Sequence, residues 1–174
     1  GPGARVFDVQ LTADAAPGAV LTLDHQKLKE FRKKGRPVAS KEELQAFMAV
    51  EFPQNNSVIV SVGNRSATVL HHVTKADLRP GGTVSGPVMM ALADVALYIA
   101  ILGEIGIVPL AVTTSLNINF LRKPSASANL IGVCKLIKLG RTLAVGEVAL
   151  YSEGSDDMVA HVTGTYAIPP VKAG

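Results

Sequence analysis

Four segments in the second half of the chain alternate hydrophobic and polar residues. They read AVTTSLNINFL, ANLIGVCKLIKL, TLAVGEVALYS and MVAHVTGTYAI, and they begin at positions 111, 128, 142 and 158. Alternation with a period of two is typical of β-strands that bury one face. In the first segment it predicts that Val112 and Leu116 share one face and that Thr113 lies on the other. The joints are polar or contain glycine, so we expect the four strands to form an antiparallel meander.

A long apolar segment precedes these strands, and between positions 86 and 102 it carries a single charged residue, Asp94. Ser85 is a good helix N-cap, and Pro87 fits a first helical turn because its missing N–H has no helical partner there. The segment is shorter than the ~20 residues that span a bilayer and holds a carboxylate, so we expect a helix buried within protein and no membrane partner. Because the helix is apolar on every side, one sheet cannot cover it, and a second copy of the chain is expected to cover the rest.

The first third of the chain carries helical patterns. Two of them occur within residues 24–52, and Gly35 and Pro37 separate them. The second pattern starts with Ser40, which stands three residues before Glu43. This spacing predicts a capping box, in which each side chain accepts a hydrogen bond from the other residue's backbone N–H.

The order of elements indicates the fold class. Two runs rich in β-branched residues, SVIVSV and SATVLHHV, flank turn residues at positions 63–65 and predict a β-hairpin. Helices, a hairpin, one buried helix and an antiparallel sheet together are typical of an α+β architecture. With 174 residues, one domain is expected.

Composition excludes several classes of function. The net charge of +3 is too small for a nucleic-acid interface, and the basic run KEFRKKGR is typical of a solvated helix face. The single cysteine, Cys134, excludes an intrachain disulfide framework, so we expect a buried thiol and a cytoplasmic setting. The first ten residues lack a signal-peptide pattern. His71, His72 and His161 lack partners at metal-site spacing, so no metal is expected.

The start of the apolar helix and its lone carboxylate are the candidate site. The N–H groups near Gly86 carry the positive end of the helix dipole and can stabilise an anion or a developing oxyanion. Asp94, in apolar surroundings, suits a general base or a nucleophile. Eight residues separate the two, which is ~12 Å along a helix, so one carbonyl cannot touch both in the same chain. Antiparallel helices in a twofold dimer would bring the N-terminus of one helix beside the middle of the other.

Three segments in this order, GGTVSGPVMMALAD, AVTTSLNINFLRKP and KLGRTLAVGEVALYSEGSDDMVAHVTGTYAIP, resemble the hotdog-fold acyl-CoA thioesterases of the phenylacetate-pathway type. The similarity spans roughly residues 55–169. It implies a hotdog fold, an antiparallel β-sheet wrapped around a long central helix, over residues 55–174, behind an N-terminal helical extension over residues 1–54. It further implies hydrolysis of a CoA thioester by a homodimer that pairs into a homotetramer, with CoA as part of the substrate and no retained cofactor.

The resemblance also implies roles for individual residues. The family's His-Gly-Gly at the helix start corresponds to Ser85, Gly86 and Pro87, and an acidic residue nine positions after the His corresponds to Asp94. The Gly86 N–H would polarise the thioester carbonyl, and Asp94 of the partner subunit would be the general base or nucleophile. Thr113 matches a hydroxyl residue that positions water.

The substrate-binding positions depart from the family in part. Arg79 stands where related enzymes carry Asn, and it could bind a CoA phosphate or a substrate carboxylate. Basic residues at strand ends, which here are Arg122, Lys123 and Arg141, would bind the phosphates of CoA, and Met90 would line an acyl pocket. Two alternatives stay open: a non-catalytic acyl-CoA sensor, because Ser85 replaces the His, and a hotdog enoyl-CoA hydratase, which would need a His paired with the Asp.

Overall fold

A six-stranded antiparallel sheet wraps around one long helix, and this arrangement confirms the predicted α+β hotdog architecture. The computed structural model describes residues 36–170, so the first of the two predicted N-terminal helical patterns lies outside the described residues. The helices are α1 (Lys41–Glu51) and α2 (Gly86–Ile105). The sheet contains β1 (Ser57–Gly63), β2 (Ser66–His71), β5 (Val112–Phe120), β6 (Leu130–Leu139), β7 (Leu143–Ser152) and β8 (Met158–Ala167). A short 3-10 turn (Lys75–Asp77) and a two-stranded ribbon of β3 (Leu78–Arg79) and β4 (Thr83–Val84) lead into α2.

Helix α2 forms the centre of the core, as predicted. Its length and composition would suit a membrane span, but 67% of its most apolar 18-residue stretch is buried inside the protein. Two sheet glycines let it approach closely: a Cβ added at Gly164 or Gly146 would overlap the side chain of Leu97. Cys134 is buried on β6, and this burial, with a smaller contribution from Glu147, raises the pKa of its thiol to about 12.

The sheet order is β1-β2-β6-β7-β8-β5, so the predicted four-strand meander is wrong in one respect. Strands β6, β7 and β8 follow one another as a meander, but β5 pairs with β8 and not with β6. The β5–β6 connection, residues 121–129, is long enough to cross from one edge of the sheet to its middle, whereas short turns link β6 to β7 and β7 to β8. Strand β5 is therefore an edge strand.

A β-bulge on β5 changes the predicted faces of this strand. Thr113 pairs with Tyr166 and Ser115 pairs with Thr165, which leaves one extra residue on β5. An extra residue reverses the alternation for the residues before it. As a result, Thr113 lies on the helix side of the sheet with Leu116, opposite to the face that plain alternation predicts.

The elements before α2 match their sequence patterns. Ser40 and Glu43 form the predicted capping box at the start of α1. β1 and β2 form the predicted hairpin, and Asn64 and Arg65 take positive φ values of 53° and 59° in its turn. Two central residues with positive φ are typical of the tight turn that matches the twist of a hairpin.

Candidate active site

Asp94 lies half-buried in the middle of α2, where two hydroxyl groups hold its carboxylate. Thr113 Oγ1 and the Tyr166 hydroxyl each donate to Asp94 Oδ1 at 2.6 Å. The Tyr166 hydroxyl also lies 3.1 Å from the Asp94 backbone oxygen. Within residues 36–170, no hydrogen bond engages Oδ2. The carboxylate is thus fixed through one oxygen, while the other is free of protein hydrogen bonds among the described residues.

Sequence reasoning missed Tyr166. It lies on β8, 72 residues after Asp94, and nothing in the alternation of β8 distinguishes it from a core residue. A buried tyrosine hydroxyl usually finds a hydrogen-bond partner, and this tendency is the only signal that the sequence offered. Burial, followed by the hydrogen bond to Asp94, raises the pKa of Tyr166 well above the usual value for tyrosine. Its hydroxyl therefore stays protonated and remains a donor to the carboxylate.

A cavity of about 220 Å³ opens beside Asp94. Among the described residues that line it, Asp94 carries the only charge and most of the others are apolar or aromatic. Helix α1 and the segment after it supply one wall, and α2, the α2–β5 connection, β5 and β8 supply the rest. The lining residues are Met48, Phe52, Asn55, Asp94, Val95, Tyr98, Pro109, Ala111, Val112, Thr113 and Tyr166.

The start of α2 is the second half of the candidate site. Ser85 occupies the N-cap position, but its side chain makes no capping hydrogen bond, contrary to the expectation for its hydroxyl. Instead, its backbone N–H donates to the Asp77 carbonyl oxygen at 2.9 Å, which ties the incoming loop to the helix start. An aromatic ring covers Gly86 on one side: a Cβ added there would lie 3.1 Å from Phe120 Cζ. The first helical turn therefore presents backbone N–H groups that no side chain within residues 36–170 caps.

Gly86 and Asp94 lie at opposite ends of β5. Phe120, the last residue of the strand, packs on Gly86, whereas Thr113, near its first residue, contacts Asp94. Both groups belong to one helix and are eight residues apart, about 12 Å at 1.5 Å per residue. The structure therefore does not bring these two predicted site residues together within one chain.

Met90 and Arg79 lie near the helix start. Met90 is 37% exposed on the same side of α2 as Gly86 and Asp94, and it does not line the cavity beside Asp94. Arg79 is exposed on β3, and its backbone oxygen accepts a hydrogen bond from Gly82 in the loop before α2. Met90 thus lies midway between Gly86 and Asp94, and Arg79 lies in the ribbon that leads into α2.

The structure separates the other basic candidates. Arg122 and Lys123 are exposed directly after β5, at the end where Phe120 packs on Gly86. Arg122 Nε donates to the Met158 carbonyl at 3.0 Å, and its guanidinium lies 3.9 Å from the Asp157 carboxylate. Arg141 lies in the β6–β7 turn, at the other end of the sheet. One chain therefore cannot direct all three at the same phosphate.

Two histidines form pairs with carboxylates. His71 Nε2 lies 2.9 Å from Asp77, and His161 Nε2 lies 3.3 Å from Glu147. Burial alone would raise the pKa of Asp77, but hydrogen bonds from the Thr74 backbone and from His71 outweigh it and lower this pKa. Among residues 36–170, no cluster of three His, Cys, Asp or Glu side chains could hold a metal ion. None of the described histidines hydrogen-bonds to Asp94, so within residues 36–170 Asp94 lacks the His partner that a hotdog hydratase would need.

Comparisons with known proteins identify the family. A model described as the Thioesterase superfamily matches residues 81–159. A protein from Silicibacter sp. TM1040, assigned as a thioesterase, is 45% identical in sequence, and the match covers 78% of this chain and 96% of that protein. Its crystal structure superposes with a TM-score of 0.72. A single-residue mutant of the phenylacetic acid degradation protein PaaI from Thermus thermophilus is 27% identical over 71% of this chain and 98% of its own, with a TM-score of 0.59.

A more distant structure shares the fold alone. Zebrafish thioesterase superfamily member 2 is 17% identical, covers 75% of this chain and 99% of its own, and superposes with a TM-score of 0.66. No curated protein sequence matches the chain significantly. The 45% identity over nearly the whole Silicibacter protein, together with the family-model match, shows that this chain belongs to the thioesterase superfamily.

Proposed function

We propose that the protein hydrolyses the thioester bond of an acyl-CoA. The observation that carries this proposal is the Asp94 carboxylate, which Thr113 and Tyr166 fix at the edge of a largely apolar cavity. The cavity would take the acyl group, and the uncapped N–H groups at the start of α2 would receive the thioester oxygen.

The complete site is proposed to form between two chains. β5 is an edge strand of nine residues without a charge or a proline, and its end residues Val112 and Phe120 are 56% and 52% exposed. Long, uncharged edges of this kind invite pairing with another strand, and proteins normally protect them. Pro87, Met90 and Ala91 add an exposed apolar stripe on the neighbouring turns of α2. A second copy of the chain, docked on β5 and this stripe, would cover both.

Antiparallel pairing of β5 with its own copy gives the required geometry. If the twofold axis passes near Leu116, Phe120 of one chain lies opposite Val112 of the partner subunit. The Gly86 end of one chain then meets the Asp94 end of the other, and each dimer contains two equivalent sites. Arg122 and Lys123 would flank the Gly86 side of each site, where they can bind the phosphates of CoA. Further pairing of dimers into a homotetramer is part of the proposal.

The reaction follows from these positions. The Gly86 N–H donates to the thioester oxygen, and Asp94 of the partner subunit takes a proton from a water molecule that Thr113 helps to orient. The resulting hydroxide adds to the carbonyl carbon, the C–S bond breaks, and the CoA thiolate recovers the proton from Asp94. In the other route, the Asp94 carboxylate attacks the carbonyl carbon, the C–S bond breaks to release the CoA thiolate, and water then hydrolyses the resulting mixed anhydride and supplies the proton that the thiolate takes up. Both routes use the same residues, need no retained cofactor and suit a cytoplasmic enzyme.

Release of free thiol from acyl-CoA esters tests the proposal. The panel runs from acetyl-CoA to palmitoyl-CoA and includes aromatic esters, and catalytic release from at least one ester is expected. If the protein binds esters tightly without releasing thiol, it is an acyl-CoA sensor. Addition of water to an enoyl-CoA without thiol release would identify a hydratase.

Loss of the Tyr166 hydroxyl should lower kcat with little change in KM. A hydrogen bond to a charged group contributes about 1.5–3 kcal/mol, so Tyr166→Phe should reduce kcat by roughly 10-fold or more if most of this energy positions Asp94. Tyr98→Phe is the matched control, because Tyr98 lines the same cavity but donates to the Pro109 carbonyl at 3.1 Å. Steady-state kinetics of both variants check this expectation. Equal losses in the two variants would contradict a specific role for Tyr166.

A further inference from the structure

We propose that the end of α1 limits the length of the acyl group, with Phe52 as the residue that sets this limit. The inference rests on the proposed function, because it assigns the acyl end of the same site. Met48 and Phe52, from the last turn of α1 and its C-cap, line the cavity beside Asp94. The wall opposite the sheet therefore comes from the N-terminal extension and not from the strands that hold the carboxylate.

Phe52 stands where an acyl chain would end. Its ring packs edge-on against Tyr98, with centroids 6.0 Å apart, and against Phe47 at 6.3 Å. Tyr98 follows Asp94 by four residues on α2, which is about one helical turn or 6 Å. An acyl group that leaves its carbonyl beside Asp94 and follows the cavity thus meets the Phe52 ring roughly one turn farther along the helix.

The wall is held in place by specific bonds. The Gln45 side chain links α1 to β1, because it accepts from the Ile59 N–H at 2.7 Å and donates to the Ser57 carbonyl at 3.4 Å. The connection after Phe52 is also fixed: the Asn55 N–H donates to the Phe52 carbonyl at 3.0 Å, and Asn55 Oδ1 accepts from the Ser57 N–H at 2.8 Å. Phe52 is 45% exposed, so part of its ring faces open space while the rest packs on the buried rings of Phe47 and Tyr98. Because the backbone around Phe52 is fixed and its ring faces the cavity, Phe52 is suited to limit the length of the acyl group.

The cavity volume indicates the size class. The volume of about 220 Å³ lies below the roughly 300–1,000 Å³ typical of pockets for drug-sized ligands. The cavity therefore suits a short or medium-length acyl group better than a long one. The substrate class that we infer is short- to medium-chain acyl-CoA, or an acyl group that carries one aromatic ring.

Two substitutions at Phe52 test the limit from both sides. Phe52→Ala should raise kcat/KM for dodecanoyl-CoA relative to hexanoyl-CoA by at least about 10-fold, the lower end of what one methylene contributes in an apolar pocket. Phe52→Trp should shift the preference towards butanoyl-CoA. Val50→Ala is the control, because Val50 is 52% exposed on the same helix and does not line the cavity. Unchanged profiles in both Phe52 variants would overturn the inference.

Binding measurements separate this inference from the proposed hydrolysis. Affinities for hexanoyl-CoA and dodecanoyl-CoA are compared in Asp94→Asn and in Asp94→Asn/Phe52→Ala, neither of which needs to turn over. If the double variant binds dodecanoyl-CoA relatively more tightly than the single variant does, the role of Phe52 is supported even if the wild type releases no thiol. The same chain-length preference in both variants overturns the role of Phe52 while leaving hydrolysis intact. Absence of binding to either ester also overturns this inference, whereas hydrolysis is judged by thiol release from the wild type.

Discussion

Replacing Asp94 with asparagine should lower the rate of thiol release by about 100- to 10,000-fold, the range expected for loss of a general base. Asparagine has nearly the same shape, and its side-chain oxygen can still accept from Thr113 and Tyr166, which hold Asp94 Oδ1 at 2.6 Å. It cannot accept a proton from water, and it is a poor nucleophile. The substitution therefore removes the chemistry while it preserves the local hydrogen bonds.

The measurement is kcat for thiol release, with thermal unfolding to show that the variant stays folded. Asp156→Asn makes the same chemical change in an exposed turn and should leave kcat unchanged. A variant at position 94 that retains activity within a few-fold of the wild type would refute the assignment of Asp94. If kcat falls as expected, trapping of an acyl-enzyme on the wild type would show that Asp94 acts as a nucleophile and not as a general base.

The helix and its carboxylate could be predicted from the sequence because each depends on local chemistry. A single Asp within an apolar run and a Ser-Gly-Pro helix start fix both the element and the two candidate groups. The separation of Gly86 and Asp94 also followed from helix geometry alone. The fold class followed from the alternation of the strands, which reflects the burial of one face of the sheet.

The features that could not be predicted depend on contacts between distant segments. Thr113 and Tyr166 can share Asp94 because β5 pairs with β8, whereas the meander that alternation favoured would have placed β6 beside β5. The bulge that turns Thr113 towards the helix has no glycine or proline to mark it. The Ser85 side chain makes no capping hydrogen bond, although serine favours this position, and the link from its backbone N–H to the Asp77 carbonyl has no local sequence signal. Arg122 and Lys123 lie at one end of the sheet and Arg141 at the other, a separation that their shared charge does not reveal.

Removing the Gly86 N–H should reduce kcat by about 100- to 1,000-fold, the effect of losing one oxyanion-hole donor. Gly86→Pro achieves this removal, because proline has no N–H and is well tolerated at the first helical position. Ser85 already has the extended conformation that proline requires of the preceding residue, with φ −71° and ψ 152°. Gly86→Ala is the matched control: it adds a Cβ at the same distance of 3.1 Å from the Phe120 ring but keeps the N–H. Equal losses in the two variants would show that space, and not the donor, matters at Gly86.

A mixture of Gly86→Pro and Asp94→Asn chains tests whether the two groups act across the dimer. Each pure variant lacks one group in both of its sites, so each should be nearly inactive. A mixed dimer has one site with both defects and one site with none, because Gly86 of one chain works with Asp94 of the partner subunit. Random assortment of equal amounts makes about half of the dimers mixed, so about a quarter of the wild-type activity should return. If the activity stays at the average of the two pure variants, the site lies within a single chain, and the twofold pairing of β5 does not build it.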